Sequence, residues 1–379
     1  MKPIAPSSPF LSSIRRYLVQ QPRWAHTEAT QEAIEEQTLP SYYRKTYYPV
    51  RIGQIFNDRY RIIAKLGYGA YSTVWLANDE RAKEYKTLKV TVQVDDSTAS
   101  TSPVLNEIKM LRHMKTFVDK EHPGLFFTRL ADDILEIDGP AGGRHYCVVS
   151  KPQGNSVHIS PQNVLMYLFD DTSSLEQVEE MESQEPSVPI IANDYGSASH
   201  ITYKSRSTML EISGHPILTD FGQMRHVEGC INQDWWMPDI YRAPEVLLQL
   251  PWSYAVDIWS IGVMTLELLE GKNLFDPVDR VHRQYVLPLA IAQYIGYLGF
   301  PPLNIIEKSP LFSTYFDAKG EAPIPKTSLE DFVTTIPPGK EKDMFLRFIR
   351  KILTWDQEAR ETANEIILDE WLMMPNESL

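Results

Sequence analysis

The sequence predicts an α+β protein with two lobes, a small β-rich lobe with one helix and a larger, mainly helical lobe. Its 379 residues are more than one small module needs. Strand patterns dominate residues 60–94, where apolar and polar side chains alternate. Helical periodicity dominates from Pro244 to the C-terminus. The two patterns occupy different parts of the chain, which indicates two lobes.

The individual elements follow from these patterns. The first lobe is predicted to contain five strands, at Tyr60–Leu66, Ser72–Ala77, Thr87–Val92, Asp133–Ile137 and His145–Val149. Its helix begins at Pro103, because Val104, Ile108 and Leu111 recur at helical spacing. The second lobe is predicted to contain helices at Asp257–Leu269, Val286–Leu298, Met344–Trp355 and Ala363–Leu372.

We place the first lobe at residues 41–154 and the second at residues 155–374, with a short polar tail at 375–379. Residues 170–211 interrupt the second lobe. The first part of this stretch holds seven acids and no base, and sequence rich in Ser, Pro and Asn follows. This composition predicts an exposed, mobile insert.

Residues 1–40 are excluded from the predicted fold. The first 27 residues are basic, contain several serines and have no acid before Glu28. This composition is typical of a mitochondrial presequence, and a disordered N-terminal tail is the alternative. The sequence leaves both possibilities open.

Composition limits the function classes. The chain is 43% hydrophobic and 23% charged, which excludes a wholly disordered, collagenous or coiled-coil protein. Its formal net charge of −13 repels nucleic-acid backbones and anionic lipid, so no nucleic acid or membrane is expected as a direct partner. Cys147 and Cys230 cannot form a disulfide framework, which favours a reducing compartment. No uncharged apolar run is long enough to span a bilayer.

A glycine-rich turn and a lysine in the first lobe could bind phosphate. Gly67 and Gly69 interrupt two strands between Leu66 and Val74, and glycine N–H groups in such a turn can approach phosphate oxygens. An ordinary hairpin turn has the same pattern. Lys89, on the third strand, could pair with phosphates or could be an edge-strand lysine.

Further acidic residues follow in a fixed order. Glu107 lies near the apolar face of the predicted helix and needs a cation there, for which Lys89 is the natural candidate, unless it is a solvated acid. Asp220 ends an apolar strand in the sequence Asp-Phe-Gly, where a carboxylate can hold Mg²⁺. Glu245 follows in Ala-Pro-Glu, and Asp257 opens a long helix.

In this order the motifs resemble those of a eukaryotic protein kinase, and the resemblance covers about residues 50–373. It is closest to the kinases that phosphorylate serine/arginine-rich splicing proteins. Residues 48–60 and 65–75 look like that family's entry to the small lobe. The stretch 170–211 falls where that family places a spacer between the catalytic loop and Asp-Phe-Gly.

The resemblance implies a bilobal protein-kinase-like fold and a role for each matching residue. It implies catalytic residues Lys89, Glu107 and Asp220. It implies nucleotide contacts from Leu66, Gly67, Gly69, Val74, Lys89 and Gln153, with Ser150 in the gatekeeper position. It implies metal ligands Asn163 and Asp220, and structural residues Glu245, Asp257 and Arg360, of which Glu245 pairs with Arg360.

The same resemblance implies ATP and Mg²⁺ as cofactors and the transfer of the γ-phosphate to serine hydroxyls of proteins. Arginine/serine-rich splicing factors are the candidate substrates. A monomer is the default expectation for the oligomeric state. The family points to the cytoplasm and nucleus, whereas residues 1–27 point to mitochondria as the alternative.

The catalytic loop departs from the family pattern. If Asn163 is the metal-binding Asn, the catalytic Asp is replaced by His158, and the phosphate-contacting Lys by Ser160. Only eight residues separate Gly154 from Asn163, where the family has two helices that need roughly 30 residues with their connections. The C-lobe is therefore expected to be incomplete, and the apolar face of the helix at Asp257 is expected to be exposed.

Three interpretations remain open. The chain could derive from a truncated gene model of an active kinase, which the abrupt junction inside an otherwise intact motif favours. It could be a splice form. It could also be a nucleotide-binding pseudokinase or scaffold that lacks the catalytic Asp. A fragment that does not fold is a further alternative.

Overall fold

The fold was analysed in a computed structural model of the full chain. It describes residues 33–43, 46–95, 97, 101–117, 121–140, 142–156, 163–168, 172–192, 200–206, 214–225, 227, 229–315 and 324–374. These residues divide into two compact units, one within residues 26–225 and one within residues 226–379. The sequence predicted a lobe boundary after residue 154, and that boundary stays a prediction.

The first unit is built on antiparallel sheets. Its strands are β1 (Ile55–Phe56), β2 (Tyr60–Gly69), β3 (Ser72–Asp79), β4 (Glu84–Thr91), β5 (Asp133–Asp138), β6 (Arg144–Ser150), β7 (Gln153–Ser156), β8 (Val164–Tyr167), β9 (Ile190–Ala192), β10 (His200–Thr202) and β11 (Pro216–Leu218). Its α-helices are α1 (Pro40–Tyr43), α2 (Pro103–Phe117) and α3 (Ser173–Gln184). Short 3-10 helices lie at Glu35–Thr38, Pro123–Phe127 and Phe221–Gln223.

The main sheet has six strands in the order β1-β2-β3-β4-β6-β5. Helix α2 packs on one side of it through a buried cluster that includes Val104 and Ile108. On another part of the sheet a second cluster places Tyr203 edge-on against Trp75, with ring centroids 5.8 Å apart. Because both faces are covered, most positions of β3 are buried, and the strand shows no clean alternation.

The acidic stretch at residues 170–185 is not simply the exposed insert that the sequence predicted. Most of it forms α3, whose buried residues Leu175 and Val178 pack on Ile63 and Leu76 of the sheet. These two apolar residues lie three apart and therefore share one helix face. The prediction was wrong because the acid count obscured this stripe.

Two acids on the packed side of α3 also make polar contacts with the rest of the unit. Glu179 accepts a hydrogen bond from Tyr85 Oη over 2.6 Å and lies 3.3 Å from Arg61. Glu182 is buried and pairs with Arg206 Nε at 2.7 Å. Glu179 and Glu182 therefore help to hold the helix against the unit.

The second unit is mainly helical. Its helices are α4 (Pro244–Leu247), α5 (Ala255–Glu270), α6 (Leu287–Leu298), α7 (Leu303–Ile306), α8 (Phe312–Tyr315), α9 (Leu329–Phe332), α10 (Lys340–Ile352) and α11 (Ala363–Ile366), with 3-10 helices at Asp239–Tyr241 and Gln357–Ala359. A two-stranded ribbon pairs β12 (Val278–Asp279) with β13 (Gln284–Tyr285). Its core includes the stacked rings of Trp259, Phe275 and Tyr294.

Three of the predicted helices in this unit form with shifted ends, as α5, α6 and α10. The fourth, predicted at Ala363–Leu372, is wrong beyond its first turn, because α11 ends at Ile366. Asp369 explains the stop: its side chain binds the Trp371 N–H over 2.8 Å and Lys351 Nζ over 2.8 Å. The chain there follows these contacts instead of continuing as a helix.

Most apolar side chains of helix α5 are buried, among them Trp259 and Val263, and two are partly exposed, so the exposure of its apolar face stays a prediction. Ile261 and Leu268 lie seven residues apart on one side of the helix and are 42% and 39% exposed. Asp257 lies in the first turn and is also exposed. Among the described residues, no helix is long and apolar enough to cross a bilayer.

Candidate functional site

A cleft of about 280 Å³ lies within the first unit. Strands β3, β4 and β6, helix α2 and the residues around β8 and β11 form its wall. The residues that define the cleft are Tyr68, Gly69, Ser72, Val74, Lys89, Glu107, Leu111, Arg129, Leu130, Ala131, Val148, Ser150, Asn163, Leu165, Thr219, Asp220 and Phe221. Acidic, basic and amide side chains therefore converge on a partly apolar cavity, the usual arrangement of a small-molecule site.

An ion pair between strand and helix is the best-defined feature of the cleft. Lys89 Nζ lies 2.7 Å from Glu107 Oε1 and 2.8 Å from Glu107 Oε2. Strand β4 supplies the lysine, and α2 supplies the acid on the turn that also buries Val104 and Ile108. Glu107 is itself buried, and Lys89 provides the cation that a buried carboxylate needs as a partner.

Asp220 joins this pair. Its Oδ1 lies 3.3 Å from Lys89 Nζ and accepts a long hydrogen bond of 3.5 Å from the Gly222 N–H. Asp220 adopts a left-handed backbone conformation with φ of 62°, which few residues other than Gly, Asn and Asp adopt readily. Such strained residues cluster at ligand sites.

Asn106 holds this segment in place, and the sequence analysis missed it. Its Nδ2 donates to the carbonyl oxygen of Gly222 over 3.0 Å and to that of Met224 over 2.9 Å. The residue precedes Glu107 on α2, so one helix turn positions both the ion pair and the chain after Asp220. No sequence motif marks an asparagine in this role.

Asn163 reaches the cleft beside Asp220. Its backbone carbonyl accepts hydrogen bonds from the Thr219 N–H over 2.7 Å and from Thr219 Oγ1 over 3.1 Å. Its carboxamide makes no hydrogen bond to any residue the structure describes. The amide oxygen and the second carboxylate oxygen of Asp220 are hard donors of the kind that Mg²⁺ prefers.

These two side chains could hold one Mg²⁺ ion together with phosphate oxygens and water, because Mg²⁺ is usually bound through few protein ligands. Within the described part of the chain, no group of three or more His, Cys, Asp or Glu side chains could hold a metal.

The glycine-rich turn closes the hairpin of β2 and β3. Gly69 is the cross-strand partner of Ser72, and an added Cβ at Gly67 or Gly69 would meet no atom within 4 Å. Open space above the backbone suits the close approach of phosphate. Tyr47 Oη donates to the Gly69 carbonyl oxygen over 2.8 Å, and Ser41 Oγ donates to that of Ala70 over 2.8 Å.

Tyr47 donates one of these two hydrogen bonds to the turn, and its environment keeps the hydroxyl protonated. Burial and the nearby Glu36 carboxylate raise the pKa of Tyr47 to about 12. The hydroxyl therefore remains a hydrogen-bond donor to the turn at physiological pH.

Not every residue that the sequence analysis named belongs to the cleft. Leu66 packs with the cluster under α3, and Gln153 lies in β7, where its Nε2 donates to the Lys151 carbonyl oxygen over 3.4 Å. Neither residue nor Gly67 lies in the cleft wall. His158 and Ser160 fall outside the described residues, so the replaced catalytic Asp stays a sequence observation.

Arg129 is a cleft residue that the sequence analysis did not identify. Its Nε donates to Ser150 Oγ over 2.8 Å, and its Nη2 donates to the same oxygen. Burial lowers the pKa of the guanidinium to about 10, and it remains charged at physiological pH. No motif marks this position, because the side chain reaches the cleft only through the fold.

The second unit contains the Glu245–Arg360 ion pair. Arg360 Nη1 lies 2.8 Å from Glu245 Oε1, and Nη2 lies 3.1 Å from Oε2. Arg360 Nη1 also donates to the Ala255 carbonyl oxygen over 2.6 Å, at the start of α5. Asp257, the other residue with an implied structural role, makes no hydrogen bond through its side chain to the described residues.

Comparison with known proteins places the chain in a family. Residues 198–372 match the protein kinase domain. A serine/threonine protein kinase of Aspergillus fumigatus is 34% identical over 377 aligned positions, which cover 90% of this chain and 91% of the relative. The serine/threonine-protein kinase SRPK of Physarum polycephalum is 25% identical over 397 positions, which cover 87% of this chain and 90% of that protein.

A shorter match is also to a protein kinase. SRSF protein kinase 3 of Mus musculus is 37% identical over 124 residues, which cover 32% of this chain and 21% of that kinase. The chain belongs to the eukaryotic protein kinase family, and the bilobal kinase fold predicted from the sequence is confirmed. Within that family it is similar to the SRPK kinases.

Proposed function

We propose that the chain binds Mg-ATP in the cleft and belongs to a protein kinase that transfers the γ-phosphate to serine hydroxyls of protein substrates. The single observation that carries this proposal is the contact of Lys89 Nζ with both Glu107, at 2.7 Å, and Asp220, at 3.3 Å. One lysine thereby joins the helix acid to the Asp-Phe-Gly segment. The glycine-rich turn closes the hairpin above it.

Each residue then has a defined task. Lys89 neutralises phosphate oxygens, and Glu107 fixes the position of the ammonium group. Asp220 and Asn163 hold Mg²⁺, which supplies charge neutralisation between the phosphates. Phosphoryl transfer needs little covalent work from the protein, so positioning and charge stabilisation account for most of the catalysis.

We propose arginine/serine-rich proteins as the substrate class. Support comes from relatives named SRPK and SRSF protein kinase and from the net charge of −13, which favours basic partners. We propose the cytoplasm and nucleus as the compartment, on the same likeness. The comparisons offer no support for the mitochondrial alternative.

A nucleotide-binding pseudokinase is the second candidate, and His158 in the place of the catalytic Asp favours it. The other explanation for His158 in this place is that a segment is missing from the sequence. The Aspergillus alignment has 377 positions but uses 90% of 379 residues, about 341, so about 36 positions have a residue in the relative and none here. That number is close to the two helices expected between Gly154 and Asn163, and the partial exposure of Ile261 and Leu268 on α5 is compatible with their absence.

Nucleotide binding by the full chain tests the proposed site. We expect Mg-ATP to raise the thermal unfolding midpoint of the wild-type chain. Lys89→Met should remove most of that shift. Lys109→Met is the matched control, because Lys109 is an exposed lysine on α2 outside the cleft, and it should leave the shift intact. A shift of equal size in all three proteins contradicts the proposal.

The transcript distinguishes the two candidates. We expect the messenger RNA across codons 150–165 to contain about thirty further codons, including a His-x-Asp sequence. The protein made from that transcript should phosphorylate an Arg-Ser peptide. If the transcript joins codons 157 and 158 directly, the two helices are truly missing, and the chain is either a pseudokinase, which should bind ATP without turnover, or a fragment that does not fold.

A further inference from the structure

A closed ring of contacts joins the ion pair of the cleft to the Asp-Phe-Gly segment. Lys89 Nζ contacts Glu107 and, at 3.3 Å, Asp220 Oδ1. Asn106 precedes Glu107 on α2 and donates through Nδ2 to the Gly222 carbonyl oxygen over 3.0 Å. The Gly222 N–H completes the ring with its long hydrogen bond of 3.5 Å to Asp220 Oδ1. Two consecutive residues of one helix therefore reach Asp220 by two different routes.

The two routes differ in whether a bound nucleotide leaves them intact. In the proposed site, phosphate oxygens compete for the ammonium group of Lys89, and Mg²⁺ competes for the carboxylate of Asp220. The direct contact between these two side chains is therefore weakened when the site is occupied. The hydrogen bonds of Asn106 go to backbone carbonyl groups that the nucleotide and the metal do not use, so this route remains.

Asp220 needs such support because its backbone conformation is strained. Its φ of 62° and ψ of 78° lie in the left-handed region, which is unfavourable for a residue with a side chain. Such a conformation persists only where the surrounding structure holds it. Asn106 Nδ2 bridges the carbonyl oxygens of Gly222 and Met224, over 3.0 and 2.9 Å, and thereby fixes the 3-10 turn that follows Asp220.

Asparagine suits this role because of its donors and its length. Its Nδ2 carries two hydrogens, one for each carbonyl oxygen, whereas an aspartate of the same shape offers only acceptors and a serine offers one donor. The turn also lies against the start of α2, since a Cβ added at Gly222 would be 3.3 Å from the Pro103 carbonyl oxygen. Asn106 therefore fastens the turn to a helix that it already contacts.

We propose that Asn106 is a positioning residue for the metal, which holds Asp220 in the conformation that binds Mg²⁺ and so increases the dependence of ATP binding on Mg²⁺. The inference rests on the proposed nucleotide site and deepens it. A ligand side chain that is already held in place raises affinity, because binding does not have to order it. Asn106 does not lie in the wall of the cleft, so its loss should act only through Asp220.

Titration calorimetry of the full chain with ATP, in saturating Mg²⁺ and again in EDTA, measures this dependence. The Mg²⁺ effect is the Kd in EDTA divided by the Kd in Mg²⁺, and we expect it to be well above one in the wild type. Asn106→Ala should lower it roughly five-fold, the change that corresponds to one hydrogen bond, with little change of the Kd in EDTA. Lys109→Met is the matched control, because Lys109 is exposed on the same helix, and it should keep the wild-type Mg²⁺ effect.

A double-mutant cycle shows whether Asn106 acts through Asp220. Asp220→Asn should lower the Mg²⁺ effect by itself, because a carboxylate ligand is lost. Adding Asn106→Ala to Asp220→Asn should then lower it no further. A substitution that only destabilises the chain weakens ATP binding equally with and without Mg²⁺. Asn106→Leu removes the donors with a side chain of similar shape and good helix propensity, and it replaces Asn106→Ala if that variant does not fold.

The outcomes separate this inference from the proposed function. An unchanged Mg²⁺ effect in a folded Asn106 variant overturns the inference and leaves the nucleotide site intact. Equal effects of Asn106→Ala in the wild-type and Asp220→Asn backgrounds also overturn it. If the wild-type chain binds ATP in neither condition, the proposed nucleotide site is wrong, and the inference falls with it.

Discussion

Arg360 and Glu245 lie 115 residues apart in the sequence and meet through two parallel N–H···O contacts of 2.8 and 3.1 Å. Both side chains are almost fully buried. A third contact, from Arg360 to the Ala255 carbonyl oxygen, connects the pair to the start of α5. The C-terminal part of the helical unit is therefore joined to the residues that precede its central helix.

Removing one partner of this pair should destabilise the helical unit strongly. Glu245→Gln leaves a buried guanidinium without a counter-charge, and we expect a loss of about 3–5 kcal/mol in the free energy of unfolding. Urea denaturation measures it. Glu330→Gln is the control, because Glu330 pairs with Arg350 on the surface and should cost less than about 1 kcal/mol. Equal effects of the two substitutions contradict the expected difference.

The acidic segment should contribute to stability through its apolar face. Leu175→Ala in α3 removes a buried side chain from the cluster with Ile63 and Leu76, so we expect a loss of about 2–5 kcal/mol. Met181→Ala on the same helix is the control, because Met181 is exposed and should change stability by less than about 0.5 kcal/mol. Urea unfolding followed by intrinsic fluorescence compares them. If Leu175→Ala leaves the free energy of unfolding unchanged, α3 does not pack on the sheet in solution.

A buried lysine should hold the N-terminal segment to the sheet. Lys65 Nζ binds the carboxylate of Glu36 and the Tyr203 carbonyl oxygen, the latter over 2.9 Å. Lys65→Met leaves a buried carboxylate without its cation, and we expect a loss of about 3–5 kcal/mol. Hydrogen exchange should rise in residues 35–38 and 200–206 before it rises elsewhere. Lys109→Met, at an exposed lysine, should change neither stability nor exchange.

The Asp79–Arg59 pair should make stability depend on pH in the acid range. Hydrogen bonds from Arg59, with the shorter contact at 2.6 Å, lower the pKa of Asp79 from 3.8 to about 2. A carboxyl whose folded-state pKa is lowered stabilises the protein above its unfolded pKa and loses that effect as pH falls toward its folded pKa. We expect the stability difference between wild type and Asp79→Asn to be constant above pH 5 and to shrink between about pH 4 and pH 2.

Urea midpoints of the two proteins at matched pH values measure this difference. Glu80→Gln is a suitable control, because Glu80 is the adjacent acid and contacts Arg61 at a more exposed position. Its stability difference from wild type should be small at every pH. A difference for Asp79→Asn that is independent of pH contradicts the proposed role of the carboxylate.

Local patterns predicted the elements that depend on local sequence. Strands β2 and β4 follow from alternation, β3 follows from its position as the next apolar strand pattern after the glycine-rich turn, and α2 follows from Pro103 and its apolar spacing. Lys89 and Glu107 could be named because their order along the chain is itself a motif. Arg129 and Asn106 could not, because each acts through partners more than twenty residues away, Ser150 for the first and Gly222 for the second.

Two failures of prediction have one physical cause. In α3, two apolar residues decided the outcome, although acids dominate the composition. After α11, the contacts of Asp369 with Lys351 and Trp371 ended a helix that the local pattern would continue. In both places tertiary contacts, which sequence patterns do not record, outweighed local composition.

The hydrogen bonds from Tyr47 and Ser41 to the glycine-rich turn affect the rates at which a ligand binds and dissociates. They hold the carbonyl groups of Gly69 and Ala70 from outside the cleft. A ligand that displaces the turn must break these hydrogen bonds both when it binds and when it dissociates. The hydrogen bonds therefore raise the activation free energy of association and of dissociation equally. We therefore expect Tyr47→Phe to increase the association and dissociation rate constants of the ligand by the same factor. The residence time should shorten, and the dissociation constant should not change.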